Sequence, residues 1–148
     1  MDNTPASALG AMICFDIYAA NLAFGRIYKP LLEPLGLTYP QYLAMLTLWS
    51  SDSQSVGQIG CALGLDSSTL TPLVKRLELA GLVTRTRDQE DERRVIVSLT
   101  KRGRSLQAQS QHVNACVTAA TGFSLDDAGQ LQALLGRLRT ALAGSQVE

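Results

Sequence analysis

A cysteine and a tyrosine lie one helical turn apart near the start of the chain, in the segment MICFDIYAANL at residues 12–22. Cys14 and Tyr18 are four residues apart, so a helix would place both side chains on one face. Free cysteine is among the residue types most often buried, which favours core packing. A thiol that loses its proton is instead a nucleophile, and a neighbouring phenol could hold it in place. The spacing leaves both interpretations open.

The other two cysteines and the single histidine limit the metal and catalytic chemistry. The three cysteines, at positions 14, 61 and 116, match no zinc-binding spacing. One histidine is too few for most histidine metal sites and argues against a catalytic triad. We therefore expect neither a metal nor a cofactor. Cys61 lies in an apolar helical segment and is predicted to pack in the core, whereas His112 is expected at the surface.

Basic residues are concentrated in one window of an otherwise neutral chain. The 148 residues include 13 Lys and Arg against 13 Asp and Glu. Nine of the basic and five of the acidic residues lie between Lys75 and Arg104, so this window carries +4 and the remainder −4. A local basic patch on a neutral protein is typical of a surface that binds a polyanion. A solvated surface with many ion pairs has the same composition, and charge alone does not decide between them.

A run of three helices is predicted to lead into the basic window. Thr38, Ser55 and Asp66 have the side chains that cap helix N-termini, and Gly81 is suited to end the third helix. This third helix has the pattern of a DNA-recognition helix, whose first turn faces base edges and phosphates. Its short hydroxyl and basic side chains are Ser67, Ser68, Thr69, Thr71, Lys75 and Arg76. Its apolar face is predicted to comprise Leu70, Leu73, Leu77 and Leu79.

Two β-rich segments, LVTRTR and RRVIVSL, follow on either side of the charged turn DQEDER and predict a hairpin. Arg85 and Arg87 on the first strand and Arg93 and Arg94 on the second concentrate positive charge on this hairpin. An arginine on such a wing can enter a narrow minor groove. Asp91, two residues before Arg93, could orient that arginine through a bidentate ion pair.

Longer helices are predicted before and after the segment that contains the three helices and the hairpin. The N-terminal helix is expected to begin with Thr4 as its cap and to carry apolar residues at helical spacing through 9–31. Ser124 is expected to cap the last helix, which is apolar on one side through 131–142. Neither stripe has a partner in a small winged-helix core, so we expect a second copy of the chain to cover both. The start of the chain lacks a basic signal-peptide region and no apolar run reaches the length of a membrane span, so a cytoplasmic protein without a membrane is expected.

Two blocks of the sequence resemble known regulators. DSSTLTPLVKRLELAGLVTR followed by DQEDERRVIVSLTKRG resembles the winged-helix core of the MarR family of bacterial regulators. That family has a wing pattern matched here by Asp91, Arg93, Leu99, Thr100 and Gly103. The N-terminal block ICFDIYAANLAFGRIYKPLLEPLGLTYPQYLAMLTLW closely resembles the organic-hydroperoxide-sensing branch, the OhrR-type repressors. The resemblance covers roughly residues 9–120.

The resemblance implies roles for two cysteines and three tyrosines. Cys14 matches a reactive, redox-sensing cysteine that is hydrogen-bonded by tyrosines at the positions of Tyr18, Tyr28 and Tyr39. In one sub-branch a C-terminal cysteine of the partner chain forms an intersubunit disulfide, and Cys116 lies in that region. Packing of Cys116 on an apolar helical stripe, with a small thiol resolving Cys14, is the alternative. Cys14 and Tyr28 are fourteen residues apart, about 21 Å along one helix, so a shared site needs a second chain or a helix that folds back.

These observations predict a mainly α fold with a small β-wing. Residues 36–100 form a winged helix-turn-helix core, residues 1–35 a dimerisation and redox-sensing helix, and residues 101–148 C-terminal dimerisation helices. The resemblance implies a repressor that binds an inverted-repeat operator in double-stranded DNA as a reduced homodimer. Organic hydroperoxides would oxidise Cys14 and release the DNA. The alternatives are a repressor released by small aromatic ligands and a thiol peroxidase. The recognition helix and wing argue against an enzyme, and Cys14 with three tyrosines argues against a ligand-released repressor.

Overall fold

Six α-helices and a three-stranded antiparallel sheet make up the computed structural model, which describes residues 8–145. The helices are α1 (Ile13–Leu32), α2 (Tyr39–Ser50), α3 (Val56–Leu63), α4 (Ser67–Leu79), α5 (Lys101–Thr121) and α6 (Leu125–Gly144). The strands are β1 (Gln54–Ser55), β2 (Val83–Arg87) and β3 (Val95–Leu99). Short 3₁₀ turns occupy Ala8–Ala11 and Glu33–Leu35. This arrangement confirms the expected mainly α fold with a small wing.

Local sequence signals explain most helix starts. Thr38, Ser55 and Ser124 each cap a helix in a reciprocal capping box with the residue three positions on. Asp66 caps α4 by accepting from the Thr69 N–H at 2.8 Å. These four of the five predicted caps are therefore confirmed, and Gly81 at φ 74° follows the end of α4 in the conformation that favours glycine.

The start of the first helix differs from the expectation. The predicted cap Thr4 lies outside the described residues. The segment at Ala8–Ala11 is a 3₁₀ turn, Met12 has an extended backbone, and α1 begins only at Ile13. Gly10 explains part of this difference, because glycine costs about 1 kcal/mol relative to alanine inside a helix. From Ile13 the helix continues without a break past Pro30 to Leu32.

The sheet contains the predicted hairpin and one strand that the sequence does not reveal. β2 pairs with β3 from Val83 opposite Leu99 to Arg87 opposite Val95. β1 pairs with the other edge of β3, so the strand order is β1–β3–β2. β1 has only two residues and lies in the polar run SSDSQS, where no alternation of apolar and polar residues marks a strand.

The core lies between helices α1 to α5 and the sheet. Leu70, Leu73 and Leu77 of α4 are buried in it, as predicted. The assignment of Leu79 to this face was wrong, since its side chain is 88% exposed. Two residues of helix rotate the side chain by about 200°, so Leu79 points away from the face that Leu77 shares.

The apolar stripes on α1 and α6 stay uncovered in the protomer. Among its described residues, α6 has none that is buried. The large apolar side chains exposed on the two stripes include Ile13, Phe15, Ile17, Leu22, Phe24, Ile27, Leu131, Leu134 and Leu142. Exposure on this scale is typical of a surface that another molecule covers. None of the helices between residues 8 and 145 combines the length and apolarity of a membrane span.

Candidate nucleic-acid interface and thiol site

The first turn of α4 presents hydroxyl side chains to solvent. Ser67, Ser68 and Thr69 are exposed and Thr71 is half-buried. Asp66 holds this turn, because its carboxylate accepts from the Ser68 hydroxyl at 2.7 Å and from the Thr69 N–H at 2.8 Å. These hydrogen bonds, the Ser68 bond first, hold the pKa of Asp66 below its ordinary value. The turn therefore has a fixed shape, with its serine and threonine hydroxyl groups at the surface.

Further along α4, Lys75 and Arg76 are exposed. On the wing, the side chain of Arg93 is 91% exposed, and its guanidinium forms the predicted bidentate pair with Asp91. Arg93 Nε lies 3.1 Å from Asp91 Oδ1 and Nη2 lies 3.5 Å from Oδ2. The pair, with the Arg93 side chain as the main cause, holds the pKa of Asp91 low. Asp91 thus fixes Arg93 at the wing tip and leaves its outer surface free to contact DNA.

The remaining wing arginines have different surroundings. Arg94 forms a 3.5 Å ion pair with Asp88, and Arg87 is exposed at the end of β2. Arg85 is held by Glu78, since Glu78 Oε1 accepts from Arg85 Nη2 at 3.1 Å and Oε2 from the Arg85 N–H at 3.0 Å. Hydrogen bonds from the Arg85 side chain, in turn, hold the pKa of Glu78 low.

Glu78 was not singled out in the sequence. An acid at the end of a recognition helix, seven residues before a wing arginine and separated from it by a glycine turn, is the signal that could have found it. The pair connects the end of α4 to β2, next to the recognition helix. Contact of Arg85 with DNA stays a prediction.

An open crevice of about 420 Å³ joins the helix-turn-helix to the wing. Its polar lining consists of Ser55, Ser67, Thr71, Arg85, Arg93 and Arg94. Hydroxyl groups and arginines that converge from two elements match the contacts that proteins make to a DNA phosphate. The structure therefore brings five of the predicted DNA-binding residues together here. The other six predicted DNA-binding residues lie outside this lining: Ser68, Thr69, Lys75, Arg76, Arg87 and Asp91.

The three cysteines are all exposed free thiols. Cys14 lies in the first turn of α1, one turn before Tyr18, whose side chain is 57% exposed. The core assignment of Cys61 was wrong. α3 buries Ile59 and Gly60, and a Cβ on Gly60 would lie 2.7 Å from the Leu65 carbonyl oxygen, so this close contact fixes the helix face and turns Cys61 outward.

Cys116 does not pack in the protomer core. α5 buries Val113 and Val117, and Cys116 lies on the adjacent, exposed side of the helix. The packing alternative therefore finds no support within a single chain. His112 is exposed, as expected. Within residues 8–145 no group of three or more His, Cys, Asp or Glu side chains could hold a metal ion.

Two of the predicted tyrosines meet at the junction of α1 and α2. The ring centroids of Tyr28 and Tyr39 are 4.5 Å apart, and Tyr42 lies 6.1 Å from Tyr28. Burial, followed by the neighbouring Tyr39 and Tyr42, raises the pKa of Tyr28 to about 12. Tyr28 therefore keeps its proton at neutral pH and can donate a hydrogen bond. The two rings line an open groove of about 610 Å³ together with Leu22 and Phe24.

The thiol and this tyrosine pair are separated within one chain. Cys14 and Tyr28 both lie on the unbroken helix α1, so about 21 Å of helix separates them. A helix that folds back was one of the two ways to bring Cys14 and Tyr28 together, and α1 does not fold back. A site that contains both must combine Cys14 and Tyr18 of one chain with Tyr28 and Tyr39 of another.

A family model and two sequence relatives all match this chain to transcriptional regulators. The sequence pattern of the SarA/Rot transcriptional regulators matches residues 26–109. The chain is 47% identical over 135 residues to the HTH-type transcriptional regulator TtmR of Methylorubrum extorquens (strain PA1), a match that covers 91% of this chain and 69% of that protein. It is 42% identical over 130 residues to the organic hydroperoxide resistance transcriptional regulator of Bacillus subtilis (strain 168), covering 88% of each.

Solved structures of AbfR from Staphylococcus epidermidis share the fold. Reduced AbfR bound to DNA matches with a TM-score of 0.73 at 36% identity, covering 87% of this chain and 89% of that chain. AbfR with its disulfide formed matches with a TM-score of 0.62 at 34% identity, covering 88% and 86%. The winged-helix fold expected from the sequence is confirmed by these matches.

Proposed function

Since this chain belongs to the SarA/MarR-type family of winged-helix transcriptional regulators, we propose that it is a repressor controlled by the oxidation of Cys14. In the reduced state a homodimer binds an inverted repeat in double-stranded DNA. An organic hydroperoxide oxidises Cys14 and the dimer releases the DNA. Its relatives are DNA-binding regulators, and the proposal assigns it no enzymatic activity.

One observation carries the proposal: an exposed thiol, Cys14, lies one turn from a tyrosine on the uncovered apolar face of α1. An exposed nucleophile beside a hydrogen-bond donor is poised for oxidation, whereas a buried structural cysteine is inert. The relative from B. subtilis is named for organic hydroperoxide resistance, which supports a peroxide as the oxidant. The apolar neighbours Met12, Phe15 and Ile17 suit the organic group of such a peroxide.

A two-fold dimer through α1 and α6 completes this site. It covers the exposed apolar stripes and brings Tyr28 and Tyr39 of one chain to Cys14 of the other, which gives two equivalent sites. Each chain then reads one half-site with α4 and its wing. Half-sites about 34 Å apart, one turn of DNA, match two-fold related recognition helices.

The chemistry begins with attack of the Cys14 thiolate on one peroxide oxygen. The O–O bond breaks, the sulfur becomes a sulfenic acid, and the alkoxide leaves as the alcohol after it takes a proton. The partner subunit's Cys116 then attacks the sulfenic sulfur, which forms a disulfide and releases water. Each disulfide accounts for the two electrons that the peroxide accepts.

The test of the function is a DNA-binding titration with a duplex that the reduced protein selects from a random pool. Cumene hydroperoxide is expected to weaken binding at least about 100-fold, because specific binding exceeds non-specific binding by about 10³ or more. Dithiothreitol should restore binding. Release by salicylate without oxidant, together with no effect of the peroxide, would contradict the proposal and support the ligand-released alternative.

The role of Cys116 is tested on a non-reducing gel. Cumene hydroperoxide should convert the monomer band to a covalent dimer in the wild type and in Cys61→Ser, because both proteins retain Cys14 and Cys116. No dimer band is expected for Cys14→Ser or Cys116→Ser. A dimer band that persists in Cys116→Ser would rule out this cysteine as the resolving thiol.

A further inference from the structure

Side chains at the C-terminal end of α2 hold the base of the wing. Trp49 Nε1 donates to the Gly103 carbonyl oxygen at 2.9 Å. Asp52 Oδ1 accepts from the Leu99 N–H at 2.8 Å, and Asp52 Oδ2 accepts from Arg104 Nη2 at 2.9 Å. We call these five residues the wing clamp. They join α2 to the end of β3 and to the first turn of α5, which is where the wing returns to the body of the protein.

The register of the sheet explains why Asp52 is needed. β1 pairs with β3 as Gln54 opposite Val97, and the same register would place residue 52 opposite Leu99. The ladder stops at Ser53, which adopts φ 57°, a left-handed conformation that is unfavourable for a non-glycine residue. The Asp52 carboxylate accepts the Leu99 N–H in place of a strand carbonyl.

The charge state of Asp52 fits this role. Burial raises the pKa of the Asp52 carboxyl, but hydrogen bonds from the Leu99 and Ser53 amides and from Arg104 outweigh burial, and the pKa lies below its ordinary value. Asp52 is therefore ionised at neutral pH and accepts charge-assisted hydrogen bonds.

A row of aromatic rings connects the clamp with the tyrosine pair. Tyr28 of α1 contacts Tyr42 at 6.1 Å, and Tyr42 contacts Trp49 edge-on at 6.3 Å. Tyr39, Tyr42 and Trp49 all belong to α2, a single helix of 12 residues. A displacement of the tyrosine end of this helix is transmitted to its other end, because a packed helix moves as a rigid element.

We propose that Trp49 and Asp52 are positioning residues that fix the wing relative to α2, so that α2 transmits the state of the Tyr28–Tyr39 pair to Arg93. The transmission of a change from the Tyr28–Tyr39 pair to Arg93 rests on the proposed function. The effect of the wing clamp on DNA binding by the reduced protein is independent of the proposed redox switch. In the reduced state the clamp holds Arg93 in its productive place, and a shift of α2 moves the wing as a whole.

The experiment is a double-mutant cycle on the reduced protein with the selected duplex. The effect of Arg93→Ala on DNA affinity is measured in the wild type, in Trp49→Phe, in Asp52→Asn and in the combination of these two substitutions. Asp126→Asn, on α6, is the matched control. Trp49→Phe keeps an aromatic side chain at this position but removes the Nε1 donor and one of the two fused rings. Asp52→Asn removes the charge that pairs with Arg104. In the wild type and the control, Arg93→Ala is expected to weaken binding at least about tenfold.

In the clamp variants, the loss of DNA affinity caused by Arg93→Ala should fall to about threefold or less. The reason is that Arg93 on an unpositioned wing no longer contacts the DNA. A purely structural role would lower the unfolding midpoint and leave the Arg93 effect unchanged. A full Arg93 effect in the combined variant, or in Trp49→Phe alone where the combination does not fold, would overturn the proposal. Failure of the peroxide to release DNA from the wild type would contradict the proposed function instead, without changing the outcome of the cycle.

Discussion

Replacement of Arg93 by alanine is expected to weaken binding of the selected duplex at least about tenfold. The arginine lies at the tip of the wing, is 91% exposed, and is aimed by Asp91. The proposed two-fold dimer would place one such side chain on each half-site, so the substitution is expected to remove two contacts from each complex. Protein stability should change little, because an exposed ion pair contributes little to folding.

Fluorescence anisotropy across a series of salt concentrations measures this prediction. If Arg93 neutralises a phosphate or enters the minor groove, the slope of log affinity against log salt should fall by about one for each wing. Arg139→Ala provides the control, since Arg139 is an exposed arginine on α6, far along the chain from the wing. Unchanged affinity and slope in Arg93→Ala would remove the wing from the interface.

Features with a local physical cause could be predicted from the sequence. Capping residues at Thr38, Ser55, Asp66 and Ser124 bind amides within their own first turn, so a few neighbouring letters suffice. The Asp91–Arg93 pair spans two residues and is equally local. The wing hairpin carries its own alternation and turn, and these determine β2 and β3.

Features that depend on distant residues could not be predicted. β1 is a strand only because β3 offers a free edge, and the Asp52 carboxylate matters only because Leu99, 47 residues away, presents an amide to it. Cys61 is in an apolar segment, but the contact between Gly60 and Leu65 determines which face of α3 is buried. The separation of Cys14 from Tyr28 follows from an unbroken α1, whereas the shared site that we propose for them would depend on a second chain.

The second large effect concerns Cys14. Serine at this position keeps the size and hydrogen-bonding capacity of the side chain, but its hydroxyl is not oxidised by a peroxide. Cys14 is exposed and belongs to α1, so its replacement leaves α4 and the wing in place. We therefore expect Cys14→Ser to bind DNA like the wild type in the reduced state and to lose its response to organic hydroperoxide.

The most direct measurement of the central claim follows the release of labelled duplex from preformed complexes after addition of cumene hydroperoxide. The wild type and Cys61→Ser should both release the DNA, since both retain Cys14, and dithiothreitol should reverse the release. The complex with Cys14→Ser should persist at every peroxide dose that empties the wild-type complex. Release from Cys14→Ser at the wild-type rate and dose would contradict the assignment of Cys14 as the switch.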